Sequence, residues 1–598
     1  MNKTKGYKRS YSFYLGAIVG VVVFFLIYGI GVVIPTNVTW LHHSIDLEGL
    51  ADLTQHELGW EMYRQAPWHF PYGLFDGLSP EPLSIVYTDS IPLFAVFFKI
   101  LSPILPADFQ YMGLFSLITY ILMGGLGALI AAKYSHENIS SERMGYITDA
   151  CAAVLMVVSP VLTKRVFYHT ALSAHYLILA AILIVIYKRE LGNEMQRLLF
   201  ALLVVLCVDI NAYYIPMVMG IYLCGILYDL LSKKQDVLGD FLTVIVSGIL
   251  SLLEGFFLGM FSGSVSSSAE NMESVSYNLV GLINPRNDLL IHLKDMPLYD
   301  YQSHESYSLF WDGISVYTPW QSEGFSYLGL GVILLIVAIA ADALLFKKDN
   351  IMKNKRLLIS MLVVGAGFLL LAAGPTGSLG KKELYHIPLP DTIYRLLSVF
   401  RTTGRFIWVI YFGIMALVIV QIARYGRRGW LWVLVICTVI QLVDISPSLV
   451  KKHEIYAGAT TDDTYVNELS DTEVFSYLGQ QCDEIIFVNP TTAIRMRPYW
   501  STVFEEYAIE HGMSMDAAYC SRDTTASADA YSDENLKRRQ SGERFPNILY
   551  VFINDDIMYE QAPKFDLNVY RYENIYIGTD LDLSGFKDVE TIADYEKQ

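Results

Sequence analysis

This chain is short of charge. Only 17% of its 598 residues are Asp, Glu, Lys or Arg, against 53% apolar, whereas soluble domains carry about a quarter charged residues. That balance excludes a soluble enzyme on a single anchor and implies an integral membrane protein. Cysteine is scarce too, with 6. Cys151, Cys207, Cys224 and Cys437 lie in apolar runs and read as small core residues. Cys482 and Cys520 remain as the two able to pair if the tail faces an oxidising compartment. Walker, GxGxxG, HExxH and GxSxG patterns are missing as well, which argues against ATP-driven, hydride-transfer, zincin and α/β-hydrolase chemistry. Nor is there an excess of basic charge. The net charge is −17, and from residue 451 onward 28 acidic side chains face 13 basic ones, so nucleic acid is not an expected partner.

What the chain does have is a series of long apolar runs. Residues 14–34, 111–132, 146–163, 171–187, 198–214, 215–232, 238–261, 325–346, 357–374, 405–423 and 429–448 are each about long enough to cross a bilayer as a helix. The first follows Lys3, Lys5, Lys8 and Arg9 and has no small-residue cleavage site, so it reads as a retained span rather than a signal peptide. Alternate turns hold Lys133 and Arg143, then Lys188, Arg189 and Arg197, then Lys233 and Lys234, then Lys347 through Arg356, then Arg424 through Arg428. Those turns are the cytoplasmic ones by the positive-inside rule, with the N-terminus on the same side. Residues 91–105 contain Lys99, are bracketed by Pro92, Pro103 and Pro106 and are expected to be re-entrant or interfacial. The expectation is a mainly α bundle of about eleven spans over residues 1–450, with a soluble extracytoplasmic α/β domain at 451–598. In that tail 484–488 and 548–553 read as strands, 568–578 as a hairpin or edge strand, 465–478 and 502–511 as helices, and 521–542 as a loop.

Polar segments collect on the opposite, outer side: a large first loop (35–90), the turn 164–175, a loop at 262–324 and the stretch 375–405. Ionisable groups at membrane depth are functional candidates by default. Within the amphipathic stretch 52–64, Asp52 and His56 are spaced i,i+4 on one helical face. A carboxylate beside an imidazole can take a proton from an acceptor or bind a metal; equally, Asp52 can be a helix-start residue and His56 a surface one. Arg64 and Trp68, with neighbouring aromatics, suit sugar stacking or an ordinary aromatic belt. Asp89 is either a second acid or the N-cap of the re-entrant segment. Arg165 and His169, again i,i+4, suit a phosphate or interfacial anchoring. Glu323 enters a span from the outer side. Arg401 and Arg405 are expected to share one helical face, near Arg395, as paired guanidinium groups for a phosphate or for carboxylates within the bundle.

The pieces DLTQHELGWEMYRQAPWHFPYG, IVYTDSIPLF, YNLVGLINP, EGFSYLGLG and VFRTTGRFIW, in this order over about residues 10–450, resemble the GT-C superfamily of polytopic membrane glycosyltransferases, and within it a bacterial branch. The resemblance implies a cytoplasmic N-terminus in the bacterial plasma membrane and a first outer loop bearing an acidic catalytic residue. It also implies a polyprenyl-phosphate-linked sugar donor and a soluble outer domain after the last span. Asp52 then falls at the catalytic acid or base, Arg165 and His169 at the second polar cluster, and Asp89 at a further acid. No cofactor follows; a divalent metal is an open alternative, against which stands the lack of an Asp-x-Asp pair in the first loop. The expected activity is transfer of a sugar to a cell-envelope glycan, glycolipid or protein at the outer face, with inversion. Asp52 is the expected base, helped by His56, and Arg401, Arg405 and His169 hold the phosphate. A reading of another class is a transporter, flippase or polymerase partner for lipid-linked glycans. Such proteins show internal inverted repeats, and none is visible here.

Overall fold

The computed structural model describes residues 3–42, 51–139, 141–234, 236–262, 274–290, 302–346, 354–459, 466–496, 498–522 and 524–592. The chain is mostly helical, with small sheets. Seven helices are long and apolar enough to cross a membrane, and an eighth span results if Arg428–Asp444 and Ser446–Tyr456, bent by 54°, count as one. Helices also occupy the other expected segments, but 170–186 and 330–345 form shorter apolar helices. The run 91–105 contains the helix Pro92–Leu101, followed by the 3-10 turn Ser102–Ile104.

Glycine sets a close helix contact. A Cβ placed on Gly16 would lie 2.2 Å from the Gly124 carbonyl oxygen, and one on Gly20 would lie 2.1 Å from that of Tyr120. The helices Lys3–Tyr28 and Met112–Asn138 therefore touch backbone to backbone, the small-xxx-small solution to packing where no water drives association. At the end of the helices that carries the basic turns, buried carboxylates receive the cations. Asp149 accepts from Ser12 (2.7 Å), Ser135 (2.8 Å) and His136 (2.8 Å). Lys188 bridges Asp229 and Asp240, and Arg197 joins Asp240 at 2.8 Å.

The first loop holds the helix Ala51–Gln65, whose Gly59 admits the Thr88 side chain to within 2.4 Å of where a Cβ would be. Gln55 donates to the Thr88 carbonyl at 3.0 Å. The segment after it turns through two left-handed residues, Asp89 and Ile91, both with φ 54°. For a β-branched residue this is a strained conformation that only well-packed surroundings maintain. Residues 43–50, also part of the loop, lie outside the described set.

The tail folds around its own apolar core and a six-stranded mixed sheet. Glu484–Phe487 lies parallel to Ile548–Phe552 and to Ser514–Met515. The hairpin Asn568–Tyr572 with Ile575–Thr579 extends it antiparallel. Its helices include Glu473–Gln481 and Pro498–His511; Thr472 caps the first by accepting from the Phe475 amide, and Tyr465 lies outside the described residues. The expected loop at 521–542 is instead largely the helix Thr525–Gln540. Its buried face, Thr525, Ala528, Ser532, Asn535 and Arg539, has helical spacing but is small and polar, so an apolar period is absent. Arg539 fixes it through a two-bond fork to Asp580 (2.8 and 2.7 Å). Cys482 and Cys520 are both free thiols.

The tail docks on the first loop. His42 pairs with Glu506: burial alone would lower the His42 pKa, but the Glu506 carboxylate raises it to about 10. The Met515 amide donates to Gly77 (2.8 Å), and both the amide and hydroxyl of Ser521 donate to the Tyr87 carbonyl (2.9 Å each). Gly124→Leu should cost more than the ~1–3 kcal/mol of an ordinary overpacked core, read as a lowered thermal midpoint. Gly413→Ala, with nothing within 4 Å of the added carbon, should leave it unchanged or raise it.

Candidate functional site

Asp52 sits in the first turn of Ala51–Gln65, where the helix dipole favours its charged form. Three other influences outweigh the dipole. Burial, then the neighbouring Glu323 and Asp89 carboxylates, push the Asp52 carboxyl up to about 7, against the pull of a hydrogen bond from Tyr519 and the charge of Arg405. His169 places its Nε2 3.4 Å from Asp52 Oδ2. On the other side of that ring, Nδ1 lies 3.0 Å from Arg165 Nη1. A guanidinium only donates, so Nδ1 must accept and the ring proton belongs on Nε2, directed at Asp52. Burial, opposed by Glu323 and reinforced by Arg165 and Arg405, holds the His169 pKa well below its usual value. A neutral imidazole with one N–H therefore faces the carboxylate.

Glu323, in the 3-10 turn Pro319–Gly324, is the centre of the charge network. Arg165 reaches both of its oxygens (3.3 and 3.1 Å) and its carbonyl (2.8 Å), and Arg405 reaches Oε2 twice (2.9 and 2.7 Å). Burial would raise its pKa, but Arg165 and Arg405, with His169 and Lys164, hold the carboxyl well below the usual range. The Arg405 guanidinium also lies 4.7 Å from the centre of the Tyr213 ring, whose hydroxyl accepts from the Thr402 amide at 2.8 Å.

The expected Arg401–Arg405 pair is thereby corrected. Arg401 precedes the turn Thr403–Phe406, so the two share no helical face, and Arg405 is committed to Glu323. Arg401 makes no hydrogen bond among the described residues; it acts by charge on Asp89 and Tyr519. The Arg395 side chain lies outside the described set. Asp89 is not the N-cap of Pro92–Leu101; Ile91 takes that position without a side-chain bond. The Asp89 carboxylate instead accepts from Asn211 (3.3 Å). Burial pushes its pKa up to about 6, against Arg405, Arg401 and Arg522.

Two of these groups come from the tail and carry no motif. Tyr519 donates to Asp52, and Arg522, which also donates to the Val399 carbonyl at 2.6 Å, brings a cation to Asp89. Their only sequence signal is an aromatic and an arginine inside the polar run YCSR.

Other expected residues lie apart. His56 is buried with its Nδ1 unpartnered, its ring centre 6.4 Å from that of His169. Burial pushes its pKa down to about 3. The imidazole facing Asp52 is thus His169, not His56, because the 165–169 turn brings its ring to the carboxylate. Arg64, twelve residues along the helix and ~18 Å away at 1.5 Å per residue, donates to Pro106 and Ala107 (2.6 Å each) and to Ser102 (3.1 Å). It closes the end of the 92–105 segment. Trp68 is exposed, with Lys99 4.7 Å over its ring. A cavity of about 340 Å³ opens nearby, lined by Met62, Asp76 and Gly512 among others, and Asp52 is not part of its wall. Among the described residues no group of three His, Cys, Asp or Glu is arranged to hold a metal ion.

Glu323→Gln strands two buried guanidinium groups and should cost about 3–5 kcal/mol, read as a lowered thermal midpoint. Arg401→Gln, which breaks no hydrogen bond, should leave the midpoint within a degree or two.

No curated protein matches the chain in sequence. Among solved structures it is similar to the archaeal oligosaccharyltransferase AglB from Archaeoglobus fulgidus, solved in complex with an inhibitory peptide and a dolichol-phosphate. The identity is 11% and the TM-score 0.39, over 99% of this chain and 76% of that one. At that distance the likeness carries no argument about function. Residues 475–580 match the model described as the DUF6311 C-terminal domain. Residues 17–446 match that of the domain of unknown function DUF6311, and the chain belongs to that family.

Proposed function

We propose that the chain is a GT-C-like glycosyltransferase of the bacterial plasma membrane, taking a sugar from a polyprenyl-phosphate donor at the outer face. The acceptor is a cell-envelope glycan, glycolipid or protein. The observation that carries the reading is a carboxylate, Asp52, hydrogen-bonded by Tyr519 and faced by the His169 imidazole, next to an Asp89 that feels two guanidinium groups not consumed by ion pairs, Arg401 and Arg522. A base works best when its pKa lies near the operating pH, and cations with spare donors suit a leaving group that gains negative charge.

In the proposed step Asp52 takes the proton from the acceptor hydroxyl. The acceptor oxygen then bonds to the anomeric carbon from the face opposite the phosphate. The bond from that carbon to the phosphate oxygen breaks, and its electron pair leaves with the polyprenyl phosphate. Arg401 and Arg522 receive that charge, while Arg405 and Arg165 stay with Glu323. His169 donates its Nε2 proton toward Asp52 and orients it. One displacement inverts the sugar carbon.

The test is turnover of a panel of polyprenyl-phosphate sugars by purified protein. Wild type should release polyprenyl phosphate, and Asp52→Asn should lose about 10²–10⁴-fold at an unchanged thermal midpoint. Equal turnover removes Asp52 from the mechanism. No turnover of any donor by folded protein favours the transport of lipid-linked glycans. A base must be deprotonated to act, so kcat/KM should rise with pH and level off above about 7. The Tyr519 hydrogen bond lowers the Asp52 pKa, so Tyr519→Phe should move that acid limb to higher pH.

A further inference from the structure

The outer loops of this chain expose apolar surface to a degree the tail does not. In and around the segment 309–317, the hairpin Thr376–Leu379 with Lys382–His386 and the short helix Asp391–Ser398, the large side chains that stand 43–58% exposed include Phe310, Trp311, Ile314, Leu384, Ile387 and Ile393. Among the described residues of 466–592, a longer stretch, only Val466 is comparably exposed. The tail shows what water-facing surface looks like in this protein, and these segments depart from it. Contiguous exposed apolar surface marks a partner or a membrane.

The segment 309–317 and the hairpin form one unit. The Gly380 turn packs on Ile314, whose Cδ1 would lie 3.3 Å from an added Cβ. Asn284 holds the Ile314 backbone at 2.9 Å through both its amide and its oxygen, and the Tyr317 hydroxyl donates to Glu383 at 2.8 Å. The unit is also tied to the end of a candidate span. Lys355–Ala373 finishes at Gly374, the Ile387 amide donates to Pro375 at 2.9 Å, and the Tyr385 hydroxyl donates to Gly374 at 3.4 Å. The hairpin therefore cannot stand far from the plane where that helix leaves the bilayer. Leu369, Leu370 and Leu371, near the end of the same helix, are exposed as well.

We propose that this module is an interfacial platform, seated in the headgroup and upper acyl region of the leaflet nearest the site, with lipid as the occupant of its apolar face. Its tie to the end of a candidate span that bears exposed leucines selects lipid over a protein partner. So does its mix of side chains, with Trp311 and Tyr317 amphipathic and Lys381 and Lys382 exposed at the hairpin tip, the composition of a membrane–water boundary. The inference is independent of the proposed activity.

Its test is intrinsic fluorescence of the full chain in nanodiscs made with ordinary or with 6,7-brominated phosphatidylcholine. The nine tryptophans are resolved by subtracting the Trp311→Phe signal from wild type. The Trp311 component should lose at least half its intensity in brominated bilayers and be little affected by aqueous iodide. Leu384→Trp, compared with wild type, should add a second component with the same behaviour. Quenching by iodide but not bromine would put the face in water and overturn the proposal. Quenching by neither would mean a protein cover, and would overturn it equally.

Discussion

Everything at the site depends on one buried carboxylate. Glu323 accepts five hydrogen bonds' worth of guanidinium contact from Arg165 and Arg405 at its side chain and carbonyl, so three segments remote in sequence are clamped at one point. In a low-dielectric setting an arrangement of this kind is held less by its net energy than by the cost of breaking it, since any missing partner leaves a bare charge. The same negative charge reaches further. It raises the pKa of Asp52 and, by occupying Arg165, obliges the His169 ring to carry its proton on the Asp52 side. A group that contacts no substrate in the proposed step thus fixes both the geometry and the protonation of those that do.

The opposite ends of the helices use charge differently. Where the basic turns lie, Asp149, Asp229 and Asp240 are matched by hydroxyls, lysines and arginines with full hydrogen bonding. At the site end, Asp52 and Asp89 sit at raised pKa values and Arg401 has no hydrogen-bonded partner among the described residues. Satisfied networks give rigidity; incompletely matched groups are where affinity for something else resides.

Sequence reasoning reads unevenly against this structure, for reasons that lie in the residues. Apolar runs survive as helices because their signal is long, and the tail strands 484–488 and 548–553 because theirs is β-branched and short. Spacing rules succeed within a continuous helix and fail where the backbone turns: i,i+4 puts His56 near Asp52 in principle, yet it is His169, from a turn beyond the left-handed Phe167 (φ 61°), that reaches the carboxylate. Arg401 and Arg405 are separated likewise by the start of a 3-10 turn. Tyr519 and Arg522 were illegible because their importance comes from tertiary docking alone. Helix 525–540 went unread because its buried face holds Thr, Ser, Asn and Arg rather than an apolar stripe.

The contact between Tyr519 and Asp52 joins positions 467 residues apart. At a synthesis rate of about 5–20 residues per second, the ribosome needs roughly 25–90 s to travel from one to the other. For that interval the first-loop helix must wait with its carboxylate uncovered while the intervening helices are inserted one after another. The site is complete only when the last fifth of the chain has emerged and docked, so a nascent or truncated copy carries every helix of the bundle and still lacks a finished centre.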